Sequence, residues 1–178
     1  MDFAIENNLL CGALQVASPN QSDRAIGSKI DLLIIHNISL PPGEYGTGCI
    51  DQLFCNTLEL DSHTFFAKIA KLRVSSHLLI DLLEKVTQYF SFNKKAWHAG
   101  ESNYQGRVAC NDFSIGIELE GLDDVPYTDV QYAILATVVK ALINAYPGLS
   151  ENCLIGHCDI APQRKTDPGP AFDWPRLQ

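Results

Sequence analysis

Phe113-Ser114-Ile115-Gly116-Ile117-Glu118-Leu119-Glu120 is the stretch on which the fold turns. Phe113, Ile115, Ile117 and Leu119 share one face of a period-two pattern, and Ser114, Gly116, Glu118 and Glu120 share the other. The small residues leave open space beside two carboxylates. A strand facing only solvent more often carries Thr, Lys or Arg there. The competing reading is a half-exposed strand with surface glutamates.

A second strand is a continuous apolar run, Leu32-Leu33-Ile34-Ile35, which reads as buried and central. It leads into His36-Asn37 and stops at Pro41-Pro42-Gly43. Two more strands are expected at Val74–Ile80, by alternation, and at Lys85–Phe90. The link Asp81-Leu82-Leu83-Glu84 makes them a hairpin without the usual Gly or Asn. Residues 49–56 suit a short helix, and residues 1–30 read as irregular. Thr128 with Gln131 forms a capping box opening a long helix, whose apolar stripe is Ile134, Leu135, Val138, Leu142 and Ile143 and which ends at Pro147-Gly148. A short strand from Cys153 to Ile155 delivers His157, and residues 172–176 close in a helical turn. Strands and helices intermix without every connection being a crossover. The expected fold is mixed α/β, one domain over residues 1–178, with a central mixed sheet flanked by helices.

Composition narrows the function. The chain has 178 residues, 46% of them apolar, and a formal net charge of −8. An acidic chain with no basic stripe argues against nucleic-acid binding. No apolar run is long enough to span a bilayer. The N-terminus lacks a basic region followed by an apolar one, so a cytoplasmic protein is expected. The six cysteines contain no C-x-x-C pair and read as reduced, mostly buried thiols. Cys158, beside His157, is the one to consider as a ligand or nucleophile, and it is expected to be neither. Arg73, Arg107, Arg164 and Lys165 are possible positive points for an anionic small molecule.

The chemistry concentrates near the C-terminus, in Gly156-His157-Cys158-Asp159-Ile160-Ala161-Pro162-Gln163-Arg164-Lys165-Thr166-Asp167-Pro168-Gly169-Pro170. Prolines stiffen this loop. His157 and Asp167 on it, with His36 from the strand end, are metal-ligand candidates. Two histidines and one carboxylate leave a fourth tetrahedral position open, as catalytic zinc requires. Such chemistry also needs a base for water and a positive donor for the oxyanion. Glu118 can supply the first and Lys165 the second. Glu118 and Glu120 share a face, and the sequence does not choose between them.

Four blocks, in order, resemble the AmpD family of cytoplasmic 1,6-anhydro-N-acetylmuramyl-L-alanine amidases. They are His36-Asn37-Ile38-Ser39-Leu40-Pro41-Pro42-Gly43, Lys95-Ala96-Trp97-His98-Ala99-Gly100, Cys110 to Gly121, and the closing loop from Gly156 to Pro170. The similarity runs from about Leu32 to Trp174. It implies an amidase-2, peptidoglycan-recognition-like fold holding one zinc ion on His36, His157 and Asp167. It implies Glu118 as proton acceptor and Lys165 as transition-state stabiliser. Asn37, Arg73, Trp97 and Arg107 correspond to substrate-binding positions. The implied activity is cleavage of the amide between the lactyl group of anhydro-N-acetylmuramic acid and L-alanine during peptidoglycan recycling, which indirectly limits β-lactamase induction. The implied partner is a small anhydro-muropeptide, met by a monomer. The chain departs from the family at the Asp81–Glu84 turn, where an Arg-Asp-Gly-type hairpin is common. Related phage amidases carry a cysteine where this chain has Asp167. The alternatives are a muropeptide-binding module of the same fold without catalysis, an amidase acting on intact wall, and a thiol hydrolase using Cys158.

Overall fold

The structure is a computed structural model that describes residues 3–177. Its centre is a six-stranded mixed sheet, and the two strands read most clearly from the sequence lie side by side within it. In chain order the strands are β1 (Leu14–Gln15), β2 (Leu32–Ile38), β3 (Leu78–Ile80), β4 (Val86–Gln88), β5 (Ser114–Glu120) and β6 (Leu154–Gly156). Their spatial order is β6-β2-β5-β3-β4-β1. The first four in that order run parallel, β3 and β4 are antiparallel, and β1 pairs parallel with β4.

All seven residues of β5 are buried, glutamates included. The half-exposed reading is therefore wrong, and the reason is topological. A strand with parallel neighbours on both edges is covered on both faces. On one side Ile115, Ile117 and Leu119 join Leu33, Ile35, Leu78 and Ile80 under helix α3 (Asp129–Ala145). Leu135, Val138 and Leu142 of that helix are fully buried, while Ile134 and Ile143 flank the stripe. The Thr128 hydroxyl accepts from the Gln131 N–H, and the Gln131 side chain accepts from the Thr128 N–H, so both halves of the capping box form. Such a cap stabilises a helix by about 1 kcal/mol. The opposite face of the sheet carries Leu32, Ile34 and then the polar residues of the site. Two short helices, α1 (Cys49–Phe54) and α2 (Phe66–Ile69), pack beside it with Leu79 and Tyr89.

Three expectations need correction. The strand expected at Val74–Ile80 is regular only over Leu78–Ile80. Residues 75–80 are all buried, so the apparent alternation has no solvent face behind it. Ser75 and Ser76 turn their hydroxyls to the carbonyls of Asn20 and Gly116 instead. Residues 1–30 are less irregular than expected: Ile5–Glu6 pairs with Leu9–Leu10, β1 joins the sheet, and Gln21–Asp23 pairs with Lys94–Ala96. Asn7 and Asn8, both at positive φ, make the two-residue turn of that first hairpin, a conformation asparagine tolerates. Met1 and Asp2 lie outside the described residues. The stretch from Gly156 to Pro170, expected as a loop, opens with a one-turn helix, α4 (His157–Ile160).

The hairpin at Asp81–Glu84 does form. Asp81 Oδ1 accepts from the N–H groups of Leu83 and Lys85, and Glu84 takes the positive φ that Gly or Asn usually supplies. Among the described residues no helix is long and apolar enough to cross a membrane. All six cysteines are unpaired.

Candidate metal centre and active site

Register places the first two groups. Along β2, Leu33 and Ile35 point to α3, so Leu32, Ile34 and His36 point the other way. In the parallel pairing with β5, His36 lies beside Glu118. On its other side β6 ends opposite Ile35, and His157 follows at once. The chain then turns through α4 and residues 161–166. The Cys158 N–H donates to the Asp167 carbonyl, 3.0 Å, bringing that carboxylate back over the sheet.

His36, His157 and Asp167 converge there, all buried. His36 Nδ1 lies 2.9 Å from His157 Nδ1, and each nitrogen is 3.0 Å from Asp167 Oδ2. A tetrahedral ion with bonds of about 2.0–2.1 Å holds its ligand atoms about 3.3 Å apart, so the triangle is close to ligand spacing. The donor chemistry also fits. His157 Nε2 donates to the Ala99 carbonyl at 3.1 Å, so Nδ1 is the ring nitrogen turned toward Asp167. Two imidazole nitrogens and an ionised carboxylate converging in a buried place form a donor set that a cation can bridge.

Charge in the cluster follows burial. Burial lowers His36 to a pKa of about 4, although Asp167 opposes this, so the ring is neutral at pH 7. Burial would raise Asp167, but its contacts with His157 and His36 outweigh that and hold it ionised, well below the ordinary carboxylate range. Glu118 is the opposite case. Burial, with the nearby Asp167 charge adding to it, raises its carboxyl well above the usual value, and Lys165 opposes the rise. Glu118 Oε2 is buried without a hydrogen-bond partner.

The choice between the two glutamates is now clear in geometry. Glu120 Oε1 accepts from the Gly46 N–H at 2.7 Å and Oε2 from the Leu82 N–H at 3.1 Å. Both oxygens are committed to fixing loops, whereas Glu118 keeps a free oxygen beside the cluster.

Asn37, Lys165 and Asp167 line one open cleft of about 460 Å³, together with Asp123 and Thr166. Asn37 is held there by its amide, which donates to Asp123 Oδ1 and the Pro168 carbonyl. Three other predicted positions are not brought to this cleft. The Arg73 guanidinium donates to the carbonyls of Ala70 and Leu72, in its own loop. Arg107 pairs with Asp31 at 3.0 Å and stacks 3.7 Å over Phe113, where ion pair and ring both hold it. The Trp97 indole N–H donates to Ser22 Oγ. Arg164 is a clamp, bonding the carbonyls of Ala99 and Glu101. The Cys158 thiol is outside the ligand group and burial pushes its pKa up, which disfavours a thiolate.

The residues that sequence reasoning missed form a layer behind the ligands. The Ala99 carbonyl holds His157, and His98 Nδ1 lies 2.8 Å from His36 Nε2. Asn111 Oδ1 accepts from the N–H groups of both His98 and Ala99 and so fixes this strip. The available signal was the open face of β5: the space over Ser114 and Gly116 is filled by the His98 ring.

Comparison with known proteins agrees with this reading of the fold. The profile of the N-acetylmuramoyl-L-alanine amidase family matches residues 26–170. The chain is 58% identical over 169 residues to 1,6-anhydro-N-acetylmuramyl-L-alanine amidase AmpD of Salmonella typhimurium (strain SL1344), covering 95% of this chain and 90% of that protein. A crystal structure of a selenomethionine AmpD derivative superposes with a TM-score of 0.94 at 54% identity, over 97% of this chain and 96% of the other. AmiD from E. coli, in complex with the substrate anhydro-N-acetylmuramic acid-L-Ala-D-γ-Glu-L-Lys, superposes with a TM-score of 0.59 at 27% identity, over 98% of this chain and 64% of that one. A profile match over most of the chain, and a relative this similar from end to end, mean that the chain belongs to the N-acetylmuramoyl-L-alanine amidase family, alongside the AmpD enzymes.

Proposed function

We propose that this amidase uses one zinc ion, held by His36, His157 and Asp167, to hydrolyse the amide between the lactyl group of 1,6-anhydro-N-acetylmuramic acid and L-alanine in cytoplasmic muropeptides. The observation that carries the reading is the convergence of two imidazole nitrogens and a carboxylate oxygen beside a buried glutamate with a free oxygen. The bond and the sugar are those in the name of the Salmonella relative and in the AmiD complex.

Bound zinc would supply Lewis acidity and lower the pKa of water near it. Glu118 accepts the proton from the attacking water. Its raised carboxyl pKa suits a group that must take a proton and then return it to the departing alanine amine. Lys165 offers positive charge to the oxyanion that develops on the lactyl carbonyl. Asn37, pinned by Asp123 and Pro168, is a rigid wall of the cleft whose NH₂ is already bonded, which leaves its Oδ1 as the atom to offer a substrate donor. A binding module without catalysis has no use for a buried, unpartnered carboxyl beside three ligands, because that group is costly unless it works.

The test is to incubate the purified protein with anhydro-muropeptide and with intact murein, each with and without chelator. Chelator-sensitive release of peptide from the first alone is expected. Equal release in the presence of chelator, or cleavage of murein alone, contradicts the proposal.

A further inference from the structure

We propose that His98 is a positioning residue: with Ser114 it forms a hydrogen-bond relay that holds a proton on Nε2 of His36 and so reserves Nδ1 of that ring for the metal site. The inference rests on the zinc reading above, but the relay is legible in hydrogen bonds of the protein alone.

The relay starts at a carbonyl, which can only accept. The Ser114 hydroxyl donates to the Cys110 carbonyl at 2.7 Å. Having spent its one hydrogen, Ser114 Oγ can only accept from His98 Nε2, 3.1 Å away. His98 is buried and its ring touches no carboxylate among its hydrogen bonds, so it carries a single proton, on Nε2. Its Nδ1 is then an acceptor, and the group 2.8 Å from it, His36 Nε2, must be the donor. His36 Nε2 thereby carries a proton. His36 Nδ1 is then the nitrogen left to give its electron pair to a metal, 2.9 Å from His157 Nδ1 and 3.0 Å from Asp167 Oδ2. The same logic, with the Ala99 carbonyl as acceptor, places a proton on Nε2 of His157 and leaves its Nδ1 as the nitrogen for a metal. Adjacent residues of one strip thus set the tautomers of both histidines.

A second observation bears on the seat of His98. A Cβ at residue 116 would lie 2.5 Å from His98 Nδ1 and 2.6 Å from its Cγ. Glycine at 116 lets the ring lie flat on β5, within reach of both Ser114 and His36. This explains a small residue in the middle of a central strand, where glycine otherwise weakens the sheet. Partners of metal-bound histidines are usually carboxylates, carbonyls or water. Here a neutral imidazole does that work, and it needs Ser114 to hold its own tautomer.

The experiment uses wild-type protein, His98→Leu and His98→Asn. The asparagine amide oxygen can stand where Nδ1 stood. Long-range proton–nitrogen correlation on the metal-free proteins reads the tautomer of His36, and competition against a chromophoric chelator reads zinc affinity. In the wild type His36 is expected as the Nε2–H tautomer. In His98→Leu it is expected to switch to Nδ1–H, bonded to Asp167, with zinc affinity lower by about 10–100-fold. His98→Asn is expected to recover most of that loss, which a role in packing alone would not produce. A wild-type His36 carrying its proton on Nδ1 overturns the relay, and needs no variant to be seen. So does a folded His98→Leu that binds zinc as tightly as the wild type. A wild-type protein that binds no zinc overturns the metal reading instead, and the metal-free tautomer still tests the relay separately.

Discussion

Exchanging each glutamate of β5 for glutamine should separate catalysis from architecture. Glu118 and Glu120 lie two residues apart on the same face, and they differ in what their oxygens touch. Glu120 accepts two backbone N–H groups, one on each oxygen. Glutamine keeps one oxygen and presents an NH₂ to the other donor. One partly buried N–H then lacks its acceptor, which costs up to about 1–3 kcal/mol. For a domain of this size each 1 kcal/mol is about 2–4 °C, so Glu120→Gln should melt roughly 2–12 °C lower. Its turnover per folded molecule should stay near that of the wild type.

Glu118→Gln should do the reverse. Removing a general base costs about 10²–10⁴-fold in rate. Because the folded pKa of Glu118 is raised, the stability that goes with its protonated form is present below the ordinary glutamate value. That stability is lost as pH rises through the folded pKa. Above that folded pKa the metal-free wild type has lost it, whereas glutamine never has to ionise in the buried site. The metal-free variant should therefore melt at or above the wild type. Peptide release from anhydro-muropeptide, followed by chromatography, and thermal unfolding in chelator measure both quantities. An inactive but stable Glu120→Gln with an active Glu118→Gln would refute the assignment.

Lys165→Ala should keep its zinc and its KM but lose on the order of 10²-fold in kcat, measured alongside metal content. Turnover near that of the wild type would remove it from the oxyanion role. His77 tests the buried neutral histidines. Burial first, and then Arg24, lower it from 6.5 to about 3. Its contribution is therefore present above pH 6.5 and lost as pH falls toward 3, with a slope of about 1.4 kcal/mol per pH unit. Urea unfolding of metal-free His77→Gln across pH 4–7 should show a slope shallower by about that amount.

How much of this was legible in the sequence depended on whether a residue's partners were local. The Thr128–Gln131 box has its partners three residues apart, and the strand Ser114–Glu120 carries its own period-two pattern although it pairs with Leu32–Ile38 and Leu78–Ile80, so both appear where the pattern put them. His36, His157 and Asp167 stand out by residue type at strand ends and on a stiff loop, and the sheet register then brings them together. Glu118 could not be told from Glu120, because the N–H groups that occupy Glu120 come from residues 46 and 82. The expected strand at Val74–Ile80 failed for a related reason, since alternation was read where both sides are covered. Arg107 looked available until Asp31, 76 residues away, took it. His98 was visible within a quoted block but unassigned, because its meaning lies in Ser114 and Gly116 on another strand.

The most direct test of the central claim is zinc K-edge X-ray absorption on the zinc-loaded protein, read together with metal content. The account predicts one ion per chain, with two histidine nitrogens at about 2.0–2.1 Å and oxygen completing the shell. A sulfur scatterer at about 2.3 Å, or a zinc content unchanged in His36→Ala and Asp167→Ala, would contradict it.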